Sequence, residues 1–239
     1  MAKILLSTEK IVFVKNPMLE FNTEQGMIKS KEFKNKNGLA KTSKGKKIRF
    51  TEAFFIDAYH RKKRGPQIIT PKDIGTIITE TGLGKSSRVL DAGGGSGALS
   101  CFLANICNEV YSYEIRKDFF KLVEENKKFL GLNNLMVRNK DVYAGIEEKE
   151  LDAVILDVPE PWQALKNAEK ALKLGGFLVS YQTSLVQVQR LFKEIKKKPF
   201  IFVKTCETLQ RNWKIEGRVV RPEIQMLGHT GWISFFRKV

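Results

Sequence analysis

With 239 residues and 42% hydrophobic content, the chain is long enough for one sizeable domain, a smaller second one and a buried core. Its longest apolar runs, such as Ala153 to Leu156, are far too short to cross a bilayer. Glu9 and Lys10 interrupt the N-terminal ILL before a signal-peptide core forms, so a soluble, cytoplasmic protein without membrane contact is expected. Lys and Arg outnumber Asp and Glu by 42 to 26, a net charge of +16 that favours a polyanionic partner, most simply nucleic acid.

Residues 1–60 carry short apolar runs (IVFV, IRF, AFFI) separated by the turn signals KNP, NTEQG and NKNG, which predicts a small β-rich, barrel-like domain. Charge is concentrated here. Residues 29–49 hold nine basic residues against the single acid Glu32, and RKKR at 61–64 is uninterrupted, a density of one sign that a merely solvated face rarely reaches. Gly65, Pro66 and Pro71 make RKKRGPQIITPKD a stiff connector into the second domain, 61–239.

From Pro71 the pattern alternates. PKDIGTIITETGL is a helix opening on proline, RVLDA a strand and GALSCFLANIC a helix. EVYSYEI is a strand, KDFFKLVEENKKFLGL a helix closing at Gly131, and LMVRNKDV and LDAVILDV are strands. PWQALKNAEKALKLGG reads as a helix ending at Gly175 and Gly176, FLVSYQT as a strand and LVQVQRLFKEIKKK as a helix. Two terminal strands, PFIFVKTCETLQRNW and HTGWISFFRKV, complete the pattern. Continuous apolar strands between amphipathic helices predict an α/β fold with a doubly wound, Rossmann-like parallel sheet. Cys101, Cys107 and Cys206 form no CxxC pair and the only histidines are His60 and His229, so no metal site is expected and Cys101 and Cys107 read as small core residues.

DAGGGSGALS, residues 91–100, follows a strand and opens a helix. Its Gly93, Gly95, Gly97 and Ala98 fit both the dinucleotide fingerprint and the pattern D-x-G-x-G-x-G from Asp91, so the glycines alone do not choose the ligand. They imply a backbone passing close to one. Glu114 lies 21 residues after Gly93, where an acid accepts ribose hydroxyls. Asp141 is read at the end of the third strand, placed for the exocyclic amine of an adenine, and Asp157 at the end of the fourth. A dehydrogenase would need a substrate domain after this fold, and few elements follow Asp157. Acids at three successive strand ends suit a cofactor bearing a sulfonium cation and no phosphate.

At these residues the sequence resembles the class I S-adenosylmethionine methyltransferases. More narrowly, it is similar to the archaeal and bacterial tRNA (adenine-N1)-methyltransferases that act on the T-loop. Four segments carry the likeness: RKKRGPQIITPKD (61–73), DAGGGSGALS with YEIR (113–116), LDVPEPW (156–162) and LGHTGW (227–232). The resemblance implies a small N-terminal β domain, a homotetramer, S-adenosyl-L-methionine as cofactor and tRNA as partner. It implies that Ser96 to Leu99 contact the methionine part, Glu114 the ribose and Asp141 the adenine ring, with Gln67 near the cofactor. Asp157 would be the catalytic carboxylate, also bordering the cofactor. Its carboxylate would accept a hydrogen bond from the target amine and orient N1, adenine 58 being the expected target and 57 its neighbour.

The substrate side is expected to involve Arg61, Arg64, Thr70, Trp162 and His229. Thr70 departs from the family pattern, which places an aromatic residue or histidine immediately before the proline. Beside these expectations stand the ordinary ones: Asp141 as a turn residue, Trp162 as core, and His229 as a loop-fixing hydrogen-bond partner. Arg211, Lys214, Arg218 and Arg221 either line an RNA cleft or are solvated. Two other functions stay open: a class I methyltransferase acting on another RNA, a protein or a small molecule, and, ranked lowest, a non-catalytic RNA-binding paralogue.

Overall fold

The structure, a computed structural model, describes residues 2–7, 10–65 and 68–239. The chain divides into two compact units, Met1–Lys62 and Lys63–Val239.

The first unit contains β1 (Lys3–Leu6), β2 (Ile11–Val14), β3 (Phe21–Thr23), β4 (Gly26–Ile28), a 3-10 turn (Ser30–Phe33), β5 (Gly38–Lys41), β6 (Lys47–Glu52) and a short helix α1 (Phe55–Tyr59). Four strands form an antiparallel sheet in the order β2-β1-β6-β5, and β3 and β4 form a separate hairpin. A bridge between Ile28 and Thr42 joins the hairpin to the end of β5, so both ladders close over Leu5, Val14, Ile28, Phe33, Ala40, Ile48 and Phe50. Strand alternation resolves the apparent conflict between so many lysines and a core. In β6, Ile48 and Phe50 point inward while Lys47 and Arg49 point out, and all nine basic residues of 29–49 are exposed.

The second unit comprises α2 (Pro71–Thr81), β7 (Arg88–Ala92), α3 (Ala98–Ala104), β8 (Glu109–Tyr113), α4 (Lys117–Leu130), β9 (Leu135–Arg138), β10 (Leu151–Leu156), a 3-10 turn (Pro161–Ala164), α5 (Leu165–Ala171), β11 (Leu172–Gln182), α6 (Leu185–Ile195), β12 (Phe200–Cys206), β13 (Trp213–Glu216), β14 (Val219–Pro222) and β15 (Trp232–Lys238). A seven-stranded sheet runs in the order β12-β15-β11-β10-β7-β8-β9. The five strands from β11 to β9 are parallel, whereas β15 lies antiparallel between β11 and β12, so the sheet is mixed rather than wholly parallel. The chain steps outward from β7 through β8 to β9, then returns to the other side of β7 with β10. This reversal opens a crevice at the carboxyl ends of β7 and β10, the place where open α/β sheets bind ligands.

Local chemistry sets the helix limits. Pro71 occupies the first turn of α2, and Gly82 and Gly131 end α2 and α4 in the left-handed conformation. The helix expected to end at Gly175 and Gly176 instead stops at Ala171, and Leu172 to Gly176 already belong to β11. Gly175 at φ +75° and a register shift between Leu151 and Ala153 bend that end of the strand, which a periodicity reading cannot distinguish from a continuing helix. The long segment before the last strand also carries an unanticipated hairpin, β13–β14. Cys101 and Cys107 are buried, and Cys206 is half-buried.

Candidate active site

The glycine loop is shaped first by its protein neighbours. The N–H groups of Gly93 and Gly94 both donate to the Tyr113 carbonyl, at 2.9 and 3.1 Å. Gly93 has φ +95°, and a Cβ there would overlap the backbone carbonyl of Asp157; one on Gly94 would overlap the Ser112 hydroxyl. These two glycines therefore let the loop lie against the ends of β10 and β8. Gly97, at φ +74°, caps α3 and packs on Cys101 and Val123. It does not line the crevice.

A cavity of about 440 Å³ occupies the crevice, with Gly93, Gly95, Glu114, Asp141 and Asp157 in its wall. Beside it lies a narrow niche lined by Asp91, Gly93, Gly95, Ser96, Ala98 and Leu99. Glu114 is only 5% exposed, and each of its carboxylate oxygens accepts one backbone N–H at 2.8 Å, from Gly95 and Arg116. A carboxylate offers about four acceptor positions, so capacity remains toward the cavity. Asp141 lies three residues beyond β9, in a turn where its Oδ1 accepts the Tyr143 N–H at 2.8 Å. It is both the turn residue and a cavity wall.

Asp157 follows β10 directly, its N–H bonded to the Ala92 carbonyl at 2.8 Å. Burial, with the Glu114 charge second, pushes its carboxyl up to about 7. Asp91 is also pushed up to about 7, by burial first and then by Asp157, with the Ser100 hydroxyl opposing. The two cations in the wall already have anionic partners outside it: Arg116 pairs with Asp118 and stacks on Phe119, and Lys140 pairs with Glu147. The cavity is therefore set up to favour positive charge.

The donor set fits S-adenosylmethionine. Glu114 and Asp141 line the cavity, and the Ser96 hydroxyl, 2% exposed beside the niche, has no hydrogen-bond partner among the described residues.

The remaining expected residues divide. Thr70 caps α2 and donates to Asp73 Oδ2 at 2.9 Å, bonding into a buried network rather than lining the cavity. Trp162 packs against the core, with the Arg190 guanidinium 4.2 Å over its ring. His229 pairs with Glu207 at 3.0 Å and lies against Trp232. Arg64 is exposed, Arg61 belongs to the first unit, and Gln67 lies outside the described residues. Arg211, Lys214, Arg218 and Arg221 are all exposed. Sequence reasoning missed Asp73, which is fully buried and holds α2, Thr230 and Tyr181 together, and Gln182, a buried amide in the cavity wall. Polar residues at buried strand and helix ends were the available signal.

The family model described as tRNA methyltransferase complex GCD14 subunit matches residues 56–228. The chain is 32% identical to a tRNA (adenine(57)-N(1)/adenine(58)-N(1))-methyltransferase TrmI of Methanocaldococcus jannaschii, covering 95% of this chain and 91% of that protein. Among solved structures it resembles a SAM-dependent O-methyltransferase of Thermotoga maritima, with TM-score 0.82 and 31% identity over 100% of this chain and 92% of that one. It also resembles the tRNA (m1A58) methyltransferase TrmI of Aquifex aeolicus, with TM-score 0.78 and 28% identity over 100% and 97%. With a Rossmann-like methyltransferase sheet, an acid-lined crevice at its switch point and matches along nearly its whole length, the chain belongs to the family of the tRNA methyltransferase complex GCD14 subunit.

Proposed function

We propose that this protein transfers a methyl group from S-adenosyl-L-methionine to N1 of an adenine in the T-loop of tRNA, adenine 58 with 57 as the neighbouring target. The observation that carries the reading is the convergence of Glu114, Asp141 and Asp157 on one cavity beside the glycine loop. Glu114 would hold the ribose, Asp141 the adenine of the cofactor, and Ser96, Ala98 and Leu99 its methionine end. The bound cofactor supplies an electrophilic methyl group on a positively charged sulfur.

Methyl transfer of this kind is a displacement in which positioning and exclusion of water do most of the work. Asp157 is the catalytic carboxylate. A cation beside it favours its ionised form, against the burial that raises its pKa. As a carboxylate it accepts a hydrogen bond from the exocyclic amine of the target base. That bond points N1 into the cavity and strengthens as positive charge develops on the ring. The target must first leave its stack, since its Watson–Crick edge is otherwise occupied.

The +16 charge and the nine exposed basic residues of 29–49 support tRNA as partner. The family resemblance supports a homotetramer. No helix among the described residues is long and apolar enough to cross a membrane, which accords with a cytoplasmic site of action.

Incubation with unmodified tRNA and labelled S-adenosylmethionine, followed by digestion to nucleosides, tests the reading. The expected product is 1-methyladenosine, lost in Asp157→Ala. A ribose-methylated nucleoside, or transfer only to a protein or small molecule, would replace it with the different-substrate reading.

A further inference from the structure

Gln182 is the last residue of β11 and is 2% exposed, yet neither its amide nitrogen nor its amide oxygen has a hydrogen-bond partner among the described residues. A buried amide with both ends unsatisfied is costly, and native cores rarely keep one. This one stands in the wall of the same cavity as Asp157. We infer that Gln182 is a specificity-determining residue that reads the N7 and N6 edge of the target adenine, its amide nitrogen donating to N7 and its amide oxygen accepting from the exocyclic amine.

Sheet order decides which ligand the amide serves. Glu114 follows β8 and Asp141 lies beyond β9, both on one side of β7, whereas β11 lies on the other side, past β10. Three strand spacings, roughly 14 Å, separate β11 from β8. The cofactor-side acids are thus at one end of the cavity and Gln182 at the other, with Asp157 between. Leu156 pairs with Ser180 in the parallel register, so Asp157 is level with Tyr181, and Gln182, still paired with Trp232, lies one residue beyond.

The chemistry is complementary. Asp157 as a carboxylate only accepts, and takes the amine hydrogen on the N1 side. The second amine hydrogen and N7 remain, a donor next to an acceptor, and glutamine matches that pair in two hydrogen bonds. Guanine would set its O6 against the Asp157 carboxylate, and pyrimidines lack N7. The cost of holding Gln182 unpaired is recovered only when an adenine enters.

This inference rests on the adenine-N1 reading, and its test separates the two. Single-turnover methylation would be measured for the wild-type protein and Gln182→Met, on tRNA carrying either adenosine or 7-deazaadenosine at the methylated position. The wild type is expected to lose about tenfold in rate on the 7-deaza tRNA. Gln182→Met is expected to be slowed about as much on ordinary tRNA and to be indifferent to the 7-deaza change. Its affinity for S-adenosylmethionine, measured by calorimetry, stays at the wild-type value, and its thermal midpoint in the free state is no lower. An equal 7-deaza effect in both proteins overturns the inference. So does lost cofactor affinity, or a Gln182→Met protein that fails to fold. Absence of 1-methyladenosine from the wild type on ordinary tRNA would instead overturn the reading beneath it.

Discussion

Thr230 donates its hydroxyl hydrogen to Asp73 Oδ2 at 2.8 Å, across 157 residues of chain. The same oxygen accepts from Thr70 at 2.9 Å and from the Tyr181 hydroxyl at 3.2 Å, while Lys72 reaches Oδ1 at 2.7 Å and Thr230 at 2.6 Å. A fully buried carboxylate with this many donors is a structural clamp. It ties the start of α2 and the GHTG segment to Tyr181, which lines the cavity. Gly231 completes it, because a Cβ there would lie 2.6 Å from the Tyr181 ring.

The clamp gives the first prediction. Asp73→Ala leaves Lys72, whose side chain is 10% exposed, without its counter-charge. Breaking a buried pair by removing one partner costs about 3–5 kcal/mol. Urea unfolding should show a loss of that size, and hydrogen exchange should show faster opening around residues 227–232 than in β7 or β10. Asp73→Ala with wild-type stability would mean that the network is ornamental.

A second prediction concerns glycines that share a backbone conformation but not an environment. Gly93 (φ +95°) and Gly131 (φ +68°) both lie in the left-handed region, yet a Cβ on Gly131 meets nothing within 4 Å while one on Gly93 overlaps the Asp157 carbonyl. Gly131→Ala should cost about 1 kcal/mol in stability, leaving methylation intact. Gly93→Ala must displace the end of β10, and with it Asp157. Cofactor affinity should then fall more than tenfold in calorimetry, a loss above about 1.4 kcal/mol. Equal behaviour of the two variants would refute the distinction.

These contrasts show what the sequence could and could not convey. The glycine cluster, Glu114 and Asp157 were readable because strand-to-helix turns and strand ends have local signatures. The reason for Gly93 was not, since the atom it avoids is 64 residues away at Asp157. Leu172 to Gly176 read as helix because LKLGG continues the preceding period, and only pairing with β10 makes it strand. Asp73 is the acid in the first turn of α2, and its partners Tyr181 and Thr230 are brought to it only by the fold. Gln182 closes an apolar strand, and nothing local reveals an amide left unpaired by the fold.

RNA affinity supplies the third prediction. Lys41, Lys47 and Arg49 project outward from β5 and β6, opposite the buried Ala40, Ile48 and Phe50. Because they do not support the core, replacing them with glutamate should leave the melting temperature nearly unchanged. If they bind phosphates, the slope of log K against log salt should shrink by about one for each phosphate that is no longer neutralised. An unchanged slope would assign the basic face of this unit to something other than tRNA.

The last prediction follows from the raised carboxyls. Asp157 and Asp91 titrate near 7 in the folded chain against an ordinary 3.8, so the folded state keeps protons that the unfolded state releases. Their contribution to stability is therefore fully present below pH 3.8, is lost as pH rises toward 7 and is level above that. Asp91→Asn should accordingly raise the thermal midpoint more at pH 8 than at pH 5. Cofactor binding runs the other way. A sulfonium in the cavity favours the ionised carboxylates, so binding expels protons, and affinity for S-adenosylmethionine should climb as pH rises through 7 and then level off. S-adenosylhomocysteine, which lacks the positive sulfur, should show a much shallower rise, and Asp157→Asn should flatten the difference between the two ligands. Calorimetry in buffers of different ionisation enthalpy counts the protons directly. Equal pH dependence for both ligands would mean that the raised carboxyls do not face the sulfonium, and that Asp157 is placed for the target base alone.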